Sequence, residues 1–292
     1  MIETRELVKA YGSTVAVDNV DLRVEEGSVY GLVGPNGAGK TTLLGLLAGL
    51  RRPDSGTQRI QASRGEIAVL SDTPRFDAWL TGREVVALAA RLMVGEVDDR
   101  RVQEVLEEAG IEDAADRAVA GYSRGMLQRL GVAATVVGSP RLVLLDEPAS
   151  ALDPLGRREV LDLVSRLRGT ATVLFSSHIL ADVQEVCDTV GIMDRGKLLF
   201  QGPITDLLVG SAVPSYLVRC RPPVEPVVEA LRAHEWVVGV EQRGSEEVVV
   251  RVDRLEDVES RLVPALAAAG ARVVSLGPEA VSLEQAFLEL TR

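Results

Sequence analysis

The chain has 292 residues, 46% of them hydrophobic and 26% charged, proportions that leave room for two domains and exclude wholesale disorder. A formal net charge of −11 argues against a nucleic acid held over a broad surface, so no nucleic-acid partner is expected. No apolar run approaches the ~20 residues of a bilayer crossing and no secretory signal opens the chain, while two cysteines, Cys187 and Cys220, give neither a disulfide framework nor metal spacing; a cytosolic chain is expected.

The first informative element is "SVYGLV", Ser28 to Val33, a β-branched apolar strand, and "TTLLGLLAGL" after it reads as a helix. Between them Gly34 to Thr41 reads G-x-x-x-x-G-K-T, and Lys40 stands out because Lys9 and Lys197 are the other lysines of an arginine-rich chain. That strand–loop–helix context is the one a phosphate-binding loop requires, which a chance glycine-rich turn would lack. The loop of Gly34, Pro35, Asn36, Gly37, Ala38 and Gly39 is expected to surround β- and γ-phosphates with backbone N–H groups and the positive end of the helix. Lys40 would neutralise them, the Thr41 hydroxyl would bind Mg²⁺, and Thr42 continues the same turn. The expected ligand is therefore a nucleotide.

"EIAVL", Glu66 to Leu70, reads as the next core strand, and a helical subdomain over about residues 73–138 comes after it. There Val85, Leu88, Ala89 and Leu92 fall on one helical face, as do Val102, Val105, Leu106 and Ala109, and both faces are expected to pack in the core. Phe76 and Trp79, so close together in a chain with 3% aromatics, suggest a contact surface around Asp72–Leu80. "GYSRGMLQRLGVAATVV", Gly121 to Val137, reads as a helix opened by Ser123. In "RLVLLDEPAS", Leu142 to Leu145 is an unbroken apolar run expected to be a central parallel strand buried on both faces. It delivers Asp146 and Glu147 to the carboxyl edge of the sheet, where open α/β sheets bind ligands. Asp146 would hold Mg²⁺ through water, and Glu147 would polarise the attacking water as general base. A further apolar strand, Thr172 to Phe175, leads to His178.

In this order, from about Ile2 to Leu208, the motifs resemble the nucleotide-binding subunit of an ABC (ATP-binding cassette) transporter. The resemblance implies an α/β P-loop NTPase core with an antiparallel β subdomain and a helical subdomain, over residues 1–208. It makes "YSRGM" a variant of the family's L-S-G-G-Q signature: Ser123 and Gly125 match, whereas Arg124 and Met126 depart. In the family that helix start faces the γ-phosphate bound by the other subunit; the other reading of Ser123 is a helix cap with no ligand. The family also implies that "SALD", Ser150 to Asp153, crosses the dimer interface with Asp153 near the nucleotide. His178 takes the place of the switch histidine on the γ-phosphate. Tyr11 matches the aromatic that stacks on adenine, or is a strand-edge tyrosine. Asp72 stands where the family has a glutamine, a carboxylate able to reach Mg²⁺ through water.

The resemblance further implies an ATPase that dimerises on ATP, as a homodimer, and drives a separate transmembrane permease from the cytoplasmic side of the membrane, as an exporter rather than an importer. Its catalytic residues are Lys40, Glu147 and His178. One alternative is a soluble ABC ATPase acting on nucleic acid or ribosomes, disfavoured by the single cassette, the absence of sustained heptads and the acidic balance. Another is an ATP-binding scaffold with poor turnover, prompted by Asp72 and Met126 but opposed by the presence of Lys40, Asp146, Glu147 and His178.

A linker is expected at 209–215, then a small α+β domain over 216–292 with the order β-α-β-β-α-β of a ferredoxin-like unit and a last helix in "SLEQAFLEL". No catalytic constellation shows there, and the fold assigns no function; a regulatory or dimer-supporting role and a plain interaction module stand level.

Overall fold

The structure, a computed structural model, describes residues 1–95, 98–150, 152–206 and 215–279. Apart from Ser215, the expected linker lies outside the described residues, as does the expected final helix. The chain divides into two compact units, Met1–Ile204 and one beginning at Thr205.

In the first unit, β1 (Ile2–Tyr11) pairs antiparallel with β2 (Thr14–Val20), β3 (Arg23–Val24) and β5 (Ser55–Ile60). A second, six-stranded sheet holds β4 (Val29–Val33), β6 (Ile67–Leu70), β7 (Leu142–Asp146), β8 (Thr172–Ser177), β9 (Thr189–Asp194) and β10 (Lys197–Pro203), in the order β10-β9-β4-β8-β7-β6. All pairs are parallel except the edge pair of β9 with β10. Every residue of β4, β7 and β8 is buried, as expected of parallel strands covered on both faces. Leu43, Leu46 and Leu47 of α1 (Lys40–Leu47) pack there with Leu32, Leu142, Leu144 and Leu174. The register decides what meets at the carboxyl edge. Val33 lies opposite Ser177 and Asp146 opposite Ser176, so the three segments leaving β4, β8 and β7 emerge side by side.

Between β6 and β7 run α2 (Gly82–Val94), α3 (Asp99–Glu108) and α4 (Arg124–Val136). Thr81 and Glu84 form a reciprocal capping box on α2, and the side chains of Asp98 and Ser123 cap α3 and α4. The stripe of Val102, Val105, Leu106 and Ala109 is buried as expected. The α2 stripe is not: Val85 is buried, but Leu88 and Leu92 are 48% and 79% exposed, and Val86 and Ala90 face inward instead. Arg83, Glu84 and Arg91 share one side of α2 and leave a broad apolar remainder on which neighbouring stripes compete, and packing against α3 and α4 selects among them. After β7 come α5 (Pro154–Arg166) and, beyond β8, the short α6 (Leu180–Val186).

The second unit contains β11 (Ser215–Cys220), α7 (Glu225–Arg232), β12 (Val237–Arg243), β13 (Glu247–Val252), a π-helical turn at Val258–Leu262, α8 (Val263–Ala268) and β14 (Val273–Pro278). Its sheet runs β12-β13-β11-β14, antiparallel throughout. Val218, Val228, Leu231, Val248, Val250, Leu262 and Leu266 form its core. Among the described residues no helix is long and apolar enough to cross a membrane.

Candidate functional site

The loop after β4 has a shape that only glycine permits. Gly39, with φ 106°, is the N-cap of α1, and a Cβ on it would lie 2.1 Å from the Ala16 carbonyl oxygen. A Cβ on Gly34 would lie 2.1 Å from the Met193 carbonyl oxygen. No side chain caps α1 and no acidic residue occupies its first turn, which leaves the first N–H groups of the helix for an anion.

Lys40 is 6% exposed and donates from Nζ to the carbonyl oxygens of Gly34 at 2.7 Å and Pro35 at 3.3 Å. The same ammonium lies 3.2 Å from Glu147 Oε1. That contact is an ion pair without hydrogen-bond alignment, for Oε1 is buried and has no hydrogen-bond partner. Its other oxygen, Oε2, accepts from His178 Nδ1 at 2.7 Å, which assigns the ring proton to Nδ1, and from the His178 backbone N–H at 3.4 Å. Glu147 holds φ at 48°, in the left-handed region a side chain rarely adopts. Ser176 braces it: the serine hydroxyl accepts from the Glu147 N–H at 2.9 Å and donates to Asp146 Oδ1 at 2.6 Å. Asp146 is itself 6% exposed. The structure therefore brings together the glycine loop, Lys40, Asp146, Glu147 and His178 on three neighbouring strands, and leaves one buried carboxylate oxygen of Glu147 with no hydrogen bond.

The donor set fits Mg²⁺. The buried Asp146 carboxylate has one oxygen committed to Ser176, and Thr41 stands exposed on the first turn of α1. Both are hard oxygen donors, and among the described residues no cluster of three or more His, Cys, Asp or Glu offers a self-sufficient metal cage. The ion would complete its shell with phosphate oxygens and water.

Other expected site residues have contacts of their own. Ser123 caps α4, accepting from the Met126 N–H at 3.2 Å, and Asp153 caps α5, accepting from the Gly156 N–H at 3.1 Å. The nearest atom to a Cβ on Gly125 would be Leu152 Cδ2, at 3.9 Å, so the backbone there is open. Asp72 comes two residues after Leu70, which pairs with Leu145, so it leaves the same sheet edge, exposed. The Tyr11 ring is 45% exposed, with Lys9 Nζ and Arg51 Cζ each 5.5 Å from its centroid, and Arg51 donates to its hydroxyl. Trp79 is 74% exposed, while Phe76 is half-buried in a groove with Val69, Pro74 and Met93. Sequence reasoning missed Ser176; the polar pair closing the otherwise apolar "TVLFSS" was its signal.

The family model described as "ABC transporter" matches residues 17–150. The ABC transporter ATP-binding protein YxlF of Bacillus subtilis is 42% identical over 213 residues, covering 71% of this chain and 72% of that protein. The daunorubicin/doxorubicin resistance ATP-binding protein DrrA of Streptomyces peucetius is 36% identical over 307 residues, covering 99% of this chain and 92% of its own. Among solved structures, the ATP-binding subunit of an ABC transporter superposes with a TM-score of 0.65 at 28% identity, covering 72% of this chain and 92% of that one.

Proposed function

The chain belongs to the ABC transporter ATP-binding proteins, and on that premise we propose that it is the hydrolytic subunit of an exporter, dimerising on ATP and driving a separate transmembrane permease. It binds ATP and carries the fold of an ATPase. The observation that supports turnover rather than mere binding is the Lys40–Glu147–His178 cluster beside the glycine loop.

In this reading the loop N–H groups and the start of α1 hold the β- and γ-phosphates, and Lys40 moves its charge onto them. Glu147 Oε1, freed from the ammonium, accepts the proton of the attacking water, while His178 holds the other carboxylate oxygen in place. Thr41 and Asp146 would hold Mg²⁺, which when bound would neutralise charge developing on the phosphates. Asp72, at the same sheet edge, would add a carboxylate on the ion's side, Thr42 supports the turn, and Tyr11 stacks on adenine. Ser123 and Gly125 of a second copy close over the γ-phosphate, with Asp153 at the interface between copies. The surface around Trp79 and Phe76 receives the permease at the cytoplasmic face of the membrane. Export rather than import is favoured by the likeness, over nearly the whole chain, to a protein named for drug resistance. The small domain over 216–292, beyond the linker at 209–215, is an accessory one.

The test is recovery of the tagged chain from gently solubilised membranes of its own cell, with co-purifying proteins identified by mass spectrometry. A stoichiometric multi-span partner is expected. Recovery from the soluble fraction alone, with ribosomes or nucleic-acid enzymes, would overturn the transporter reading.

A further inference from the structure

Outside the cluster, one ion pair joins the two helices that leave it. Arg157 lies in the first turn of α5, the helix that Asp153 caps, and Asp182 lies in α6, four positions past His178. Arg157 donates from Nε to Asp182 Oδ1, and its Nη2 lies in ion-pair contact with the same oxygen. Asp182 is 2% exposed; among the described residues it and Asp146 are the buried carboxylates. Burial pushes its carboxyl above the ordinary aspartate range, against the pull of Arg157. A buried ion pair is weak evidence of stability, since well-packed apolar residues often replace one without loss. What it supplies is a fixed geometry.

The need for that geometry is visible in α6. It is seven residues long, and its cap, Ile179, offers no side-chain bond. The Ser177 hydroxyl accepts from the Ile179 N–H at 2.9 Å, which ties the start to the end of β8, while a helix this short takes the direction of its axis from tertiary contacts. His178 sits at that start, bonded through Nδ1 to Glu147. The contacts close a ring. The chain runs from Glu147 to Arg157, the ion pair crosses to Asp182, the chain runs back to His178, and the hydrogen bond returns to Glu147.

We propose that Arg157 and Asp182 are a positioning pair that fixes α6 so that His178 meets Glu147. Resting on the function proposed above, the pair thereby holds the general base, Glu147, in place through His178. Neither residue touches nucleotide.

The chain has two histidines, so imidazole NMR separates His178 from His234, which stacks on Trp236 in the second unit and serves as an internal reference. Asp182→Ala is the first variant, because Arg157, 30% exposed, can then turn to water. Should that variant fail to fold, Arg157→Met combined with Asp182→Leu fills the place with apolar groups. In either, His178 should lose the Nδ1–H signature of the wild-type full chain and move toward free imidazole, with His234 unmoved. Turnover number for ATP should fall roughly 10- to 100-fold, as for a small misplacement remote from the chemistry, with KM little changed. Arg157→Lys, which keeps the pair, should restore most of both. A His178 signal at its wild-type position in both disrupted proteins, or His178 and His234 shifting together, would overturn the proposal. A wild-type chain that binds but does not hydrolyse ATP, in which Asp182→Ala still shifts His178, would contradict the hydrolytic function and leave the positioning pair standing.

Discussion

Among the described residues, the buried polar and charged side chains, including Lys40, Gln128, Asp146, Ser176, Ser177 and Asp182, all lie in the first unit. In the second unit the buried side chains are apolar, Val218, Leu231, Val248, Val250 and Leu262 among them, while ion pairs such as Arg219–Glu247 and Arg251–Glu241 stay partly in water. Taking an ionised group out of water is strongly unfavourable unless it is paired and hydrogen-bonded. A fold that does so repeatedly at one sheet edge is holding groups for chemistry. The described interior of the second unit is almost wholly apolar: the Cys220 thiol is buried there among valines and leucines, and the enclosed Glu279 carboxylate is paired with Arg243. The contrast places the buried ionised groups in the unit that also carries the glycine loop.

The largest effect expected is at Lys40. Lys40→Met removes the charge meant for the phosphates and the ammonium facing Glu147, so phosphate release should fall by roughly 10²–10³-fold or more. A variant with near wild-type turnover would break the contrast at its root. Ser176→Ala comes next, since one hydroxyl serves both Asp146 and the strained backbone of Glu147. Urea unfolding should report a loss of about 1–3 kcal/mol, and turnover should drop more than stability explains. An unchanged turnover would mean that Glu147 keeps its place without Ser176.

On the other side, Leu231→Ala in the core of the second unit should destabilise that unit by about 2–5 kcal/mol while ATP turnover persists. Loss of turnover in protein whose first unit remains folded would show that the two are not separable in function. Smallest is Arg251→Ala, which removes a partly exposed pair with Glu241 and should alter stability by about 0–1 kcal/mol and turnover not at all.

How much of the molecule is legible in its sequence depends on the range of each interaction. The strand–loop–helix around Lys40 is legible because its signal is local, with apolar runs and glycines that nothing else tolerates. So is the carboxylate edge, because an unbroken buried strand ends at Asp146 and Glu147. The face of α2 is legible only in part: Arg83, Glu84 and Arg91 share one side, but the broad apolar remainder admits neighbouring stripes, and Leu88 and Leu92 lose to Val86 and Ala90 once α3 and α4 are in place. Ser176 and the Arg157–Asp182 pair are hidden, since each acts on a partner far away in sequence, brought near by strand register or by the approach of two helices. Sequence periodicity is silent about such partners. Ser123 and Asp153 each cap a helix, the local role that the sequence allows for Ser123.

A site shared between two copies can be tested at a single side chain, through the molar mass of the Glu147→Gln chain, by light scattering, with and without ATP and Mg²⁺. The amide keeps the shape of the side chain that meets His178 but cannot take a proton from water. The mass is expected to double with ATP and stay doubled, whereas the wild-type chain returns to monomer as ATP is consumed. A Glu147→Gln chain that binds ATP yet remains a monomer at every concentration would contradict a site completed by Ser123 and Gly125 of a second copy.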